Sequence, residues 1–226
     1  TLHDADGNVT VPGFADAALP PDPAIGAAIR AAAFDAGRYF DDIGAPRPDP
    51  LPSGTELLTR QWLVPTLEFN GISGGYAGAG TKTVIPSSAS AKITCRLIAG
   101  QDPAKVTDAI ARHLESAMPS GYRLEVRRHG PGSTAFALDP GLPALKIAED
   151  ILGTLLGAPP LRVAMGATIP IGDVFARHLG VNVIFFSFST SDEDYHAPNE
   201  FFRLSSFRTG LVAWARLLER LAERPA

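Results

Sequence analysis

The chain has 226 residues, a formal net charge of −4 and a hydrophobic content of 45%. Its acidic and basic residues are interspersed, so nothing in the charge pattern favours nucleic acid as a partner. No apolar run approaches the ~20 residues that cross a bilayer, so we expect neither nucleic acid nor a membrane as a partner. The single cysteine, Cys95, excludes an internal disulfide. Together with a start that lacks a signal-peptide pattern, it predicts a cytoplasmic location.

The first part of the chain has weak and uneven patterns. Residues 25–39 are alanine-rich and predict a helix, and residues 55–63 predict a second, shorter one. The proline-broken stretch at residues 44–50 cannot continue a helix. Residues 9–14 are consistent with a short strand or an extended segment, and residues 66–69 predict a short strand.

The pattern sharpens after residue 72. Residues 74–80 form a glycine-rich loop, but no helix follows it, so it does not predict a phosphate loop. Residues 89–98 alternate apolar and polar side chains as a half-buried strand does, which places Cys95 on the core side. Asp102 and Pro103 predict the start of a helix, and residues 123–127 alternate again as a strand.

The second half has α/β character. Residues 143–156 predict a helix closed by Gly157, followed by a short strand at residues 161–163. A helix ending at Leu179 precedes residues 181–188, whose Val, Ile and Phe side chains predict a strand buried on both faces. The final helix carries one apolar face, formed by Leu204, Phe207, Leu211, Trp214 and Leu218.

His196 lies in the loop after this predicted buried strand, where open α/β sheets place their ligands. A neutral imidazole there is either a divalent-metal ligand or a histidine that bonds a loop carbonyl. The neighbouring carboxylates of Asp192, Glu193 and Asp194 either orient that imidazole or form a solvated acidic turn.

Other candidate binding residues also have two interpretations. Gly166, Ala167 and Thr168 precede a helix, so they either bind an anion or form an ordinary helix cap. Arg96, on the polar face of its strand, is either a surface residue or a clamp for a substrate carboxylate. His129 either bonds substrate at a domain junction or caps a strand end.

Taken together, these segments resemble the zinc-dependent metallopeptidase family that includes aminoacylase, carnosine-type dipeptidases, glutamate carboxypeptidase and the desuccinylase of diaminopimelate synthesis. They are most similar to its dipeptidase branch, and the resemblance spans nearly the whole chain. The segments that carry it are residues 2–14, 74–86, 91–103, 166–170 and 196–200.

The resemblance implies a two-layer α+β lid (dimerisation) domain over residues 1–130, followed over residues 131–226 by the C-terminal part of an α/β zinc-peptidase catalytic domain. It implies two zinc ions in the intact enzyme, one of them bound by His196. It also implies a homodimer formed through the lid and a small peptide or N-acyl amino acid as substrate. Thr83 would approach the active site of the neighbouring subunit. The implied substrate-binding residues are Arg96, Thr168, Gly166, Ala167 and His129.

The sequence departs from this family in two respects. Ala164 stands where dipeptidase-like members carry an arginine, with Arg162 close by, and Ala167 replaces a glycine. The family's other metal ligands, its general base and its lid histidine lie upstream and have no equivalents here. We therefore expect an inactive C-terminal fragment of a dizinc hydrolase, with no catalytic residue of its own. The alternatives are a non-catalytic dimerisation or binding module without a metal site, and a family member that has lost its catalytic half.

Overall fold

The computed structural model describes residues 1–164, 170–190 and 192–223 and divides into two compact units. Unit 1 comprises Thr1–Phe136 and Ala164–Asp173, and unit 2 comprises Ala137–Val163 and Val174–Ala226. The helices are α1 (Pro23–Ala31), α2 (Ala36–Asp42), α3 (Gly54–Leu63), α4 (Pro103–Ala117), α5 (Pro143–Leu156), α6 (Pro170–Leu179) and α7 (Leu204–Ala222). The strands are β1 (Thr66–Gly74) and β2 (Ala89–Arg96). No helix within these described ranges is long and apolar enough to span a membrane.

Unit 1 contains an antiparallel pair of strands, β1 and β2, with Thr66 opposite Arg96 at one end and Gly74 opposite Ala89 at the other. The alternation predicted for β2 is confirmed in its second half, where Ile93 and Cys95 are half-buried against the core and Thr94 and Arg96 are exposed. In its first half it is wrong, because residues 89–92 are all exposed. Helix α4 contributes the other side of this core, so unit 1 joins helix and sheet in one apolar cluster. The buried residues of the cluster are Leu2, Val11, Phe14, Leu67, Val106 and Ala109.

Residues 1–14 are held in place by side-chain hydrogen bonds. The Nε2 atom of His3 lies 3.0 Å from the carbonyl oxygen of Leu67 in β1. The buried Gln101 donates from Nε2 to the carbonyl oxygen of Phe14 at 2.6 Å. Because buried polar groups are costly unless they are paired, these bonds fix the amino-terminal segment against the strand and against the turn before α4.

Local capping signals explain where α3 and α4 begin and where α5 ends. Ser53 and Glu56 form a capping box at α3, in which each residue's side chain accepts from the other's backbone N–H. The side chain of Asp102 accepts from the first turn of α4, and α5 ends at Gly157 in the left-handed conformation, with φ of 71°. The helices predicted in these three places are therefore confirmed.

The continuous helix predicted over residues 25–39 is wrong, because the chain is broken between α1 and α2. Ala33 has φ of 45°, which a helix cannot accommodate. The Oδ1 atom of Asp35 then accepts from the backbone N–H of Arg38 at 3.0 Å and starts α2 as a new helix. The capping preference of Asp35 thus outweighs the helix propensity of the alanines around it.

Unit 2 is organised around the contact between α5 and α7. Gly210 of α7 lies against the ring of Phe188, and a Cβ atom at this glycine would be 3.1 Å from the ring. The small residues Gly210 and Ala213 thus let the segment at 186–188 and α5 approach α7 closely. The buried residues of this cluster are Ile147, Ala148, Ile151, Phe186, Ala213 and Leu217.

The strands predicted at residues 123–127, 161–163 and 181–188 are not formed as hydrogen-bonded strands. In the part of the chain that the structure describes, the named strands are β1 and β2, which pair with each other. Strand formation needs a neighbour, and a run of Val, Ile and Phe does not reveal whether one exists. Consequently Val181 is 46% exposed and Phe185 is 48% exposed, rather than buried on both faces.

Most of the apolar face recognised on α7 does not pack, although the Trp214 ring contacts that of Phe186 edge to face. Helix α7 buries Gly210, Ala213 and Leu217 against its neighbours in unit 2. The predicted apolar stripe is instead exposed, with relative exposures of 71% at Leu204, 52% at Phe207, 58% at Leu211, 43% at Trp214 and 61% at Leu218. The physical reason is that small side chains allow the closest approach, whereas a hydrophobicity pattern is dominated by large ones.

Candidate functional site

His196 lies at the surface in a tight turn of unit 2. The backbone N–H of Ala197 donates to the carbonyl oxygen of Asp194 at 2.9 Å, which closes the turn around Tyr195 and His196. His196 is exposed and has φ of 60°, in the left-handed region that non-glycine residues rarely adopt. Within the described residues its imidazole has no hydrogen-bond partner.

Two of the three acidic residues before His196, Asp192 and Glu193, bond to Arg203 and not to the imidazole. Glu193 is fully buried, and its Oε1 atom lies 3.3 Å from Nη1 of Arg203. Asp192 is exposed, and its two carboxylate oxygens accept from Nη1 and Nη2 of Arg203 at 2.9 and 2.7 Å. Hydrogen bonds from the hydroxyl of Thr190 and from Arg203 hold the pKa of Asp192 below its usual value. The sequence suggested either carboxylates that orient the His196 imidazole or a solvated acidic turn. Neither describes this arrangement, because Glu193 is buried and shares Arg203 with Asp192.

The ion pair between Glu193 and Arg203 was not predicted from the sequence. They are ten positions apart and bracket His196 on either side. Their pairing depends on the loop folding back on itself, which places the backbone N–H of Phe201 3.3 Å from the carbonyl oxygen of Glu193. The available signal in the sequence is a run of acids followed by an arginine, and such runs are usually solvated.

The candidate substrate-binding residues of unit 1 lie at different places on its surface. Arg96 is exposed at the last position of β2, and His129 is exposed next to Gly130, which has φ of 70°. Thr83 is exposed in the connection between β1 and β2, beyond the opposite end of the strand pair from Arg96. With ~3.4 Å per residue, the length of β2 separates the two ends by about 24 Å. Arg96 thus lies at one end of the strand pair, and the connection that carries Thr83 leaves from the other end.

Three of the predicted site residues, Gly166, Ala167 and Thr168, lie outside the described residues. Of the two residues named beside them, Ala164 is half-buried and Arg162 is engaged in unit 2. Arg162 donates from Nη2 to Glu149 at 3.0 Å and from Nη1 to the carbonyl oxygen of Pro140 at 2.9 Å. Its guanidinium therefore ties α5 to neighbouring segments, and it does not replace a substrate-binding arginine at position 164.

The residues that the structure describes do not supply a complete set of metal ligands. Residues 1–164, 170–190 and 192–223 contain no group of three or more His, Cys, Asp and Glu side chains placed to hold a metal ion. His196 offers one imidazole, and the carboxylates of Asp192 and Glu193 are already bonded to Arg203. These residues do not fit a two-zinc centre, which needs several donors around each ion.

Cys95 has the properties of a core thiol. Burial, followed by the charge of Glu68, raises the pKa of the Cys95 thiol to about 11. A protonated thiol is a poor nucleophile at neutral pH, so the interpretation of Cys95 as a packing residue is supported over a reactive one.

The sequence profile of the peptidase dimerisation domain matches residues 6–121, which is half of the chain. The chain therefore belongs to the M20 peptidase dimerisation domain family, and the predicted family and fold class are confirmed.

Curated relatives of the chain are metallodipeptidases. It is 26% identical to the Cys-Gly metallodipeptidase DUG1 of Saccharomyces cerevisiae over 75% of this chain and 36% of that protein. It is also 26% identical to the human Beta-Ala-His dipeptidase over 99% of this chain and 44% of that protein. The chain thus spans less than half the length of these relatives.

Solved metallopeptidase structures also match this chain over only about half of their own length. An M20 family metallo-carboxypeptidase from Sulfolobus solfataricus superposes with a TM-score of 0.87 and 23% identity, covering 97% of this chain and 49% of that one. Human carnosine dipeptidase 1 superposes with a TM-score of 0.80 and 25% identity, covering 99% of this chain and 47% of that one. The fold is therefore that of about half of an M20 metallopeptidase.

Proposed function

We propose that this chain is the C-terminal portion of a metal-dependent hydrolase that cleaves a dipeptide or an N-acyl amino acid. In this proposal residues 1–130 form its lid domain and residues 131–226 the last part of its catalytic domain. The observation that carries the proposal is the coverage: nearly all of this chain superposes on metallopeptidases, but on only 47–49% of their length. The named activities of the curated relatives support a dipeptide as substrate.

His196 is proposed as one ligand of the zinc ions that such an enzyme contains. Its exposed imidazole and its strained turn support this role, because strained backbone conformations concentrate at functional sites. The remaining ligands and the general base would come from residues outside this chain. The chain by itself is therefore proposed to be inactive, and its single half-buried Cys95 supports a cytoplasmic location for the parent protein.

The proposed substrate-binding residues are exposed wherever the structure describes them. Arg96 offers a guanidinium at the end of β2 that suits a substrate carboxylate, and His129 offers an imidazole beside Gly130. Thr83 lies in the connection that leaves the strand pair at the end opposite Arg96, which supports its assignment to the neighbouring subunit's active site. Thr168, with Gly166 and Ala167, is proposed to bind the substrate backbone or carboxylate on the basis of sequence resemblance.

We also propose that unit 1 forms a homodimer. The match to a dimerisation domain supports this, as does the exposure of apolar side chains at the far end of the strand pair, 78% at Ile72 and 91% at Ile85. Ile85→Glu is expected to weaken the dimer at least tenfold in sedimentation equilibrium, because it places a charge in the interface. Leu156→Glu, at a position 61% exposed in unit 2, is the matched control and should leave the dimer unchanged.

A non-catalytic dimerisation or binding module is the second candidate. It is favoured by the absence of a metal-donor cluster from the residues that the structure describes. The two proposals are compatible, since the parent protein can be an enzyme while this chain serves only its dimerisation and part of its site.

The test compares this chain with the product of its complete reading frame, both assayed with zinc on Cys-Gly and β-Ala-His dipeptides. We expect hydrolysis by the longer product, none by this chain, and a loss of at least 100-fold when His196 is replaced by Ala in the longer product. Hydrolysis by this chain alone would contradict its status as an incomplete portion. A reading frame that starts near Thr1, or a longer product inactive on every dipeptide, would favour the binding module.

A further inference from the structure

The loop that carries His196 has an unusual backbone. Three of its non-glycine residues have positive φ: 53° at Asp194, 60° at His196 and 68° at Asn199. A side chain with a Cβ atom is disfavoured in this region, although Asp, Asn and His tolerate it better than most. Such a loop keeps its shape only when surrounding contacts fix it.

Glu193 supplies those contacts from inside the loop. Its side chain is completely buried. Its Oε2 atom accepts from the backbone N–H of Thr190 at 3.1 Å, and its Oε1 atom accepts from the backbone N–H of Arg203 at 3.2 Å. One carboxylate therefore joins the residue before the loop to the residue after it, with His196 between them.

Arg203 completes the arrangement by balancing the buried charge. Its Nη1 atom lies 3.3 Å from Oε1 of Glu193 and donates to the hydroxyl of Thr190 at 2.7 Å. The guanidinium also lies over the ring of Phe201, 4.9 Å from its centroid. A buried carboxylate without such a partner would strongly destabilise the loop, so Glu193 and Arg203 act together.

We propose that Glu193 is a positioning residue, which together with Arg203 fixes the loop that presents the His196 imidazole. The inference rests on the proposed function in taking His196 as the group that needs placing. The contact itself, one buried carboxylate that joins Thr190 to Arg203, does not depend on a bound metal.

Glu193→Gln tests this in the full chain. The amide oxygen still accepts from Arg203, but the NH₂ group cannot accept from the backbone N–H of Thr190. Asp192→Asn is the matched control, because it removes a charge from the same arginine at an exposed site. The readouts are NMR hydrogen exchange at the backbone amides of Ala197 and Gly157, and the ring signals of the histidines.

We expect Glu193→Gln to speed exchange at Ala197 by at least about tenfold and to move the His196 ring signals. Exchange at Gly157, which closes α5, and the ring signals of the exposed His178 should not change. Asp192→Asn should change exchange at Ala197 by less than about threefold.

Three results would overturn the proposal: an unchanged Ala197 amide, equal acceleration at Gly157, or an Asp192→Asn effect as large as that of Glu193→Gln. If Glu193→Gln does not fold, Arg203→Met removes the same ion pair from the other side and carries the same expectations. A further combination is that Glu193→Gln changes the loop as expected while the longer product still hydrolyses dipeptides after His196→Ala. That combination would refute the proposed function and leave the positioning role intact.

Discussion

Two adjacent leucines of α7 provide a sharp test of how unit 2 packs. Leu217 is 5% exposed and lies in the cluster with Ala213 and Phe186, whereas Leu218 is 61% exposed. The hydrophobic pattern of the sequence places Leu218, and not Leu217, on the apolar face of the helix. The structure therefore predicts that Leu217→Ala is strongly destabilising and that Leu218→Ala is nearly neutral.

The magnitudes follow from burial. Replacing a buried leucine with alanine costs ~2–5 kcal/mol, and we expect about 3 kcal/mol at Leu217 because a contact between two helices can partly relax. An exposed substitution changes the free energy of unfolding by less than about 0.5 kcal/mol. The change in helix propensity is the same at both positions, so it cancels in the comparison.

Urea unfolding followed by tryptophan fluorescence measures both effects. The chain has two tryptophans, and replacing Trp62 by Phe leaves Trp214 of unit 2, whose ring lies 5.4 Å from that of Phe186, as the reporter. At about 2 kcal/mol per M urea, Leu217→Ala should lower the midpoint by roughly 1.5 M. An equal or larger decrease for Leu218→Ala would refute the packing described for α7.

Three further outcomes are expected from urea titrations. Burial raises the pKa of Cys95 to about 11 from 9.0, so the unfolded chain loses this proton first. Stability should be retained below pH 9 and fall by about 1–2 kcal/mol as the pH rises toward 11, after allowance for partial exposure, and Cys95→Ala should abolish this fall. Ser53→Ala should cost about 1 kcal/mol through loss of the capping box with Glu56, whereas a change below ~0.3 kcal/mol would contradict the cap. Arg162→Met should cost about 1–3 kcal/mol because it leaves the half-buried Glu149 without its partner, and a stabilised variant would contradict that role.

The features that the sequence predicts well are those determined by neighbours in the chain. Asp102 and Pro103 mark the start of α4, and Gly157 marks the end of α5, because capping involves residues within one turn. The half-burial of Cys95 likewise follows from the alternation of a single strand. At Asp35 the same local signal was present, but the surrounding alanines concealed it.

The features that the sequence does not predict depend on distant partners. Residues 181–188 have the composition of a strand, yet pairing requires another strand beside them. The packing face of α7 depends on which surface α5 approaches. In the candidate site, His196 is recognisable from its motif, whereas the pairing of Glu193 with Arg203 exists only once the loop has closed.

The zinc content of three proteins tests the central proposal most directly: this chain, the product of its complete reading frame, and that product with His196→Ala. If the chain is the C-terminal portion of a dizinc hydrolase, the longer product should retain about two equivalents of zinc after dialysis. This chain should retain almost none, and His196→Ala should remove about one equivalent from the longer product. Unchanged zinc content in the His196→Ala protein, or stoichiometric zinc in this chain alone, would contradict the account.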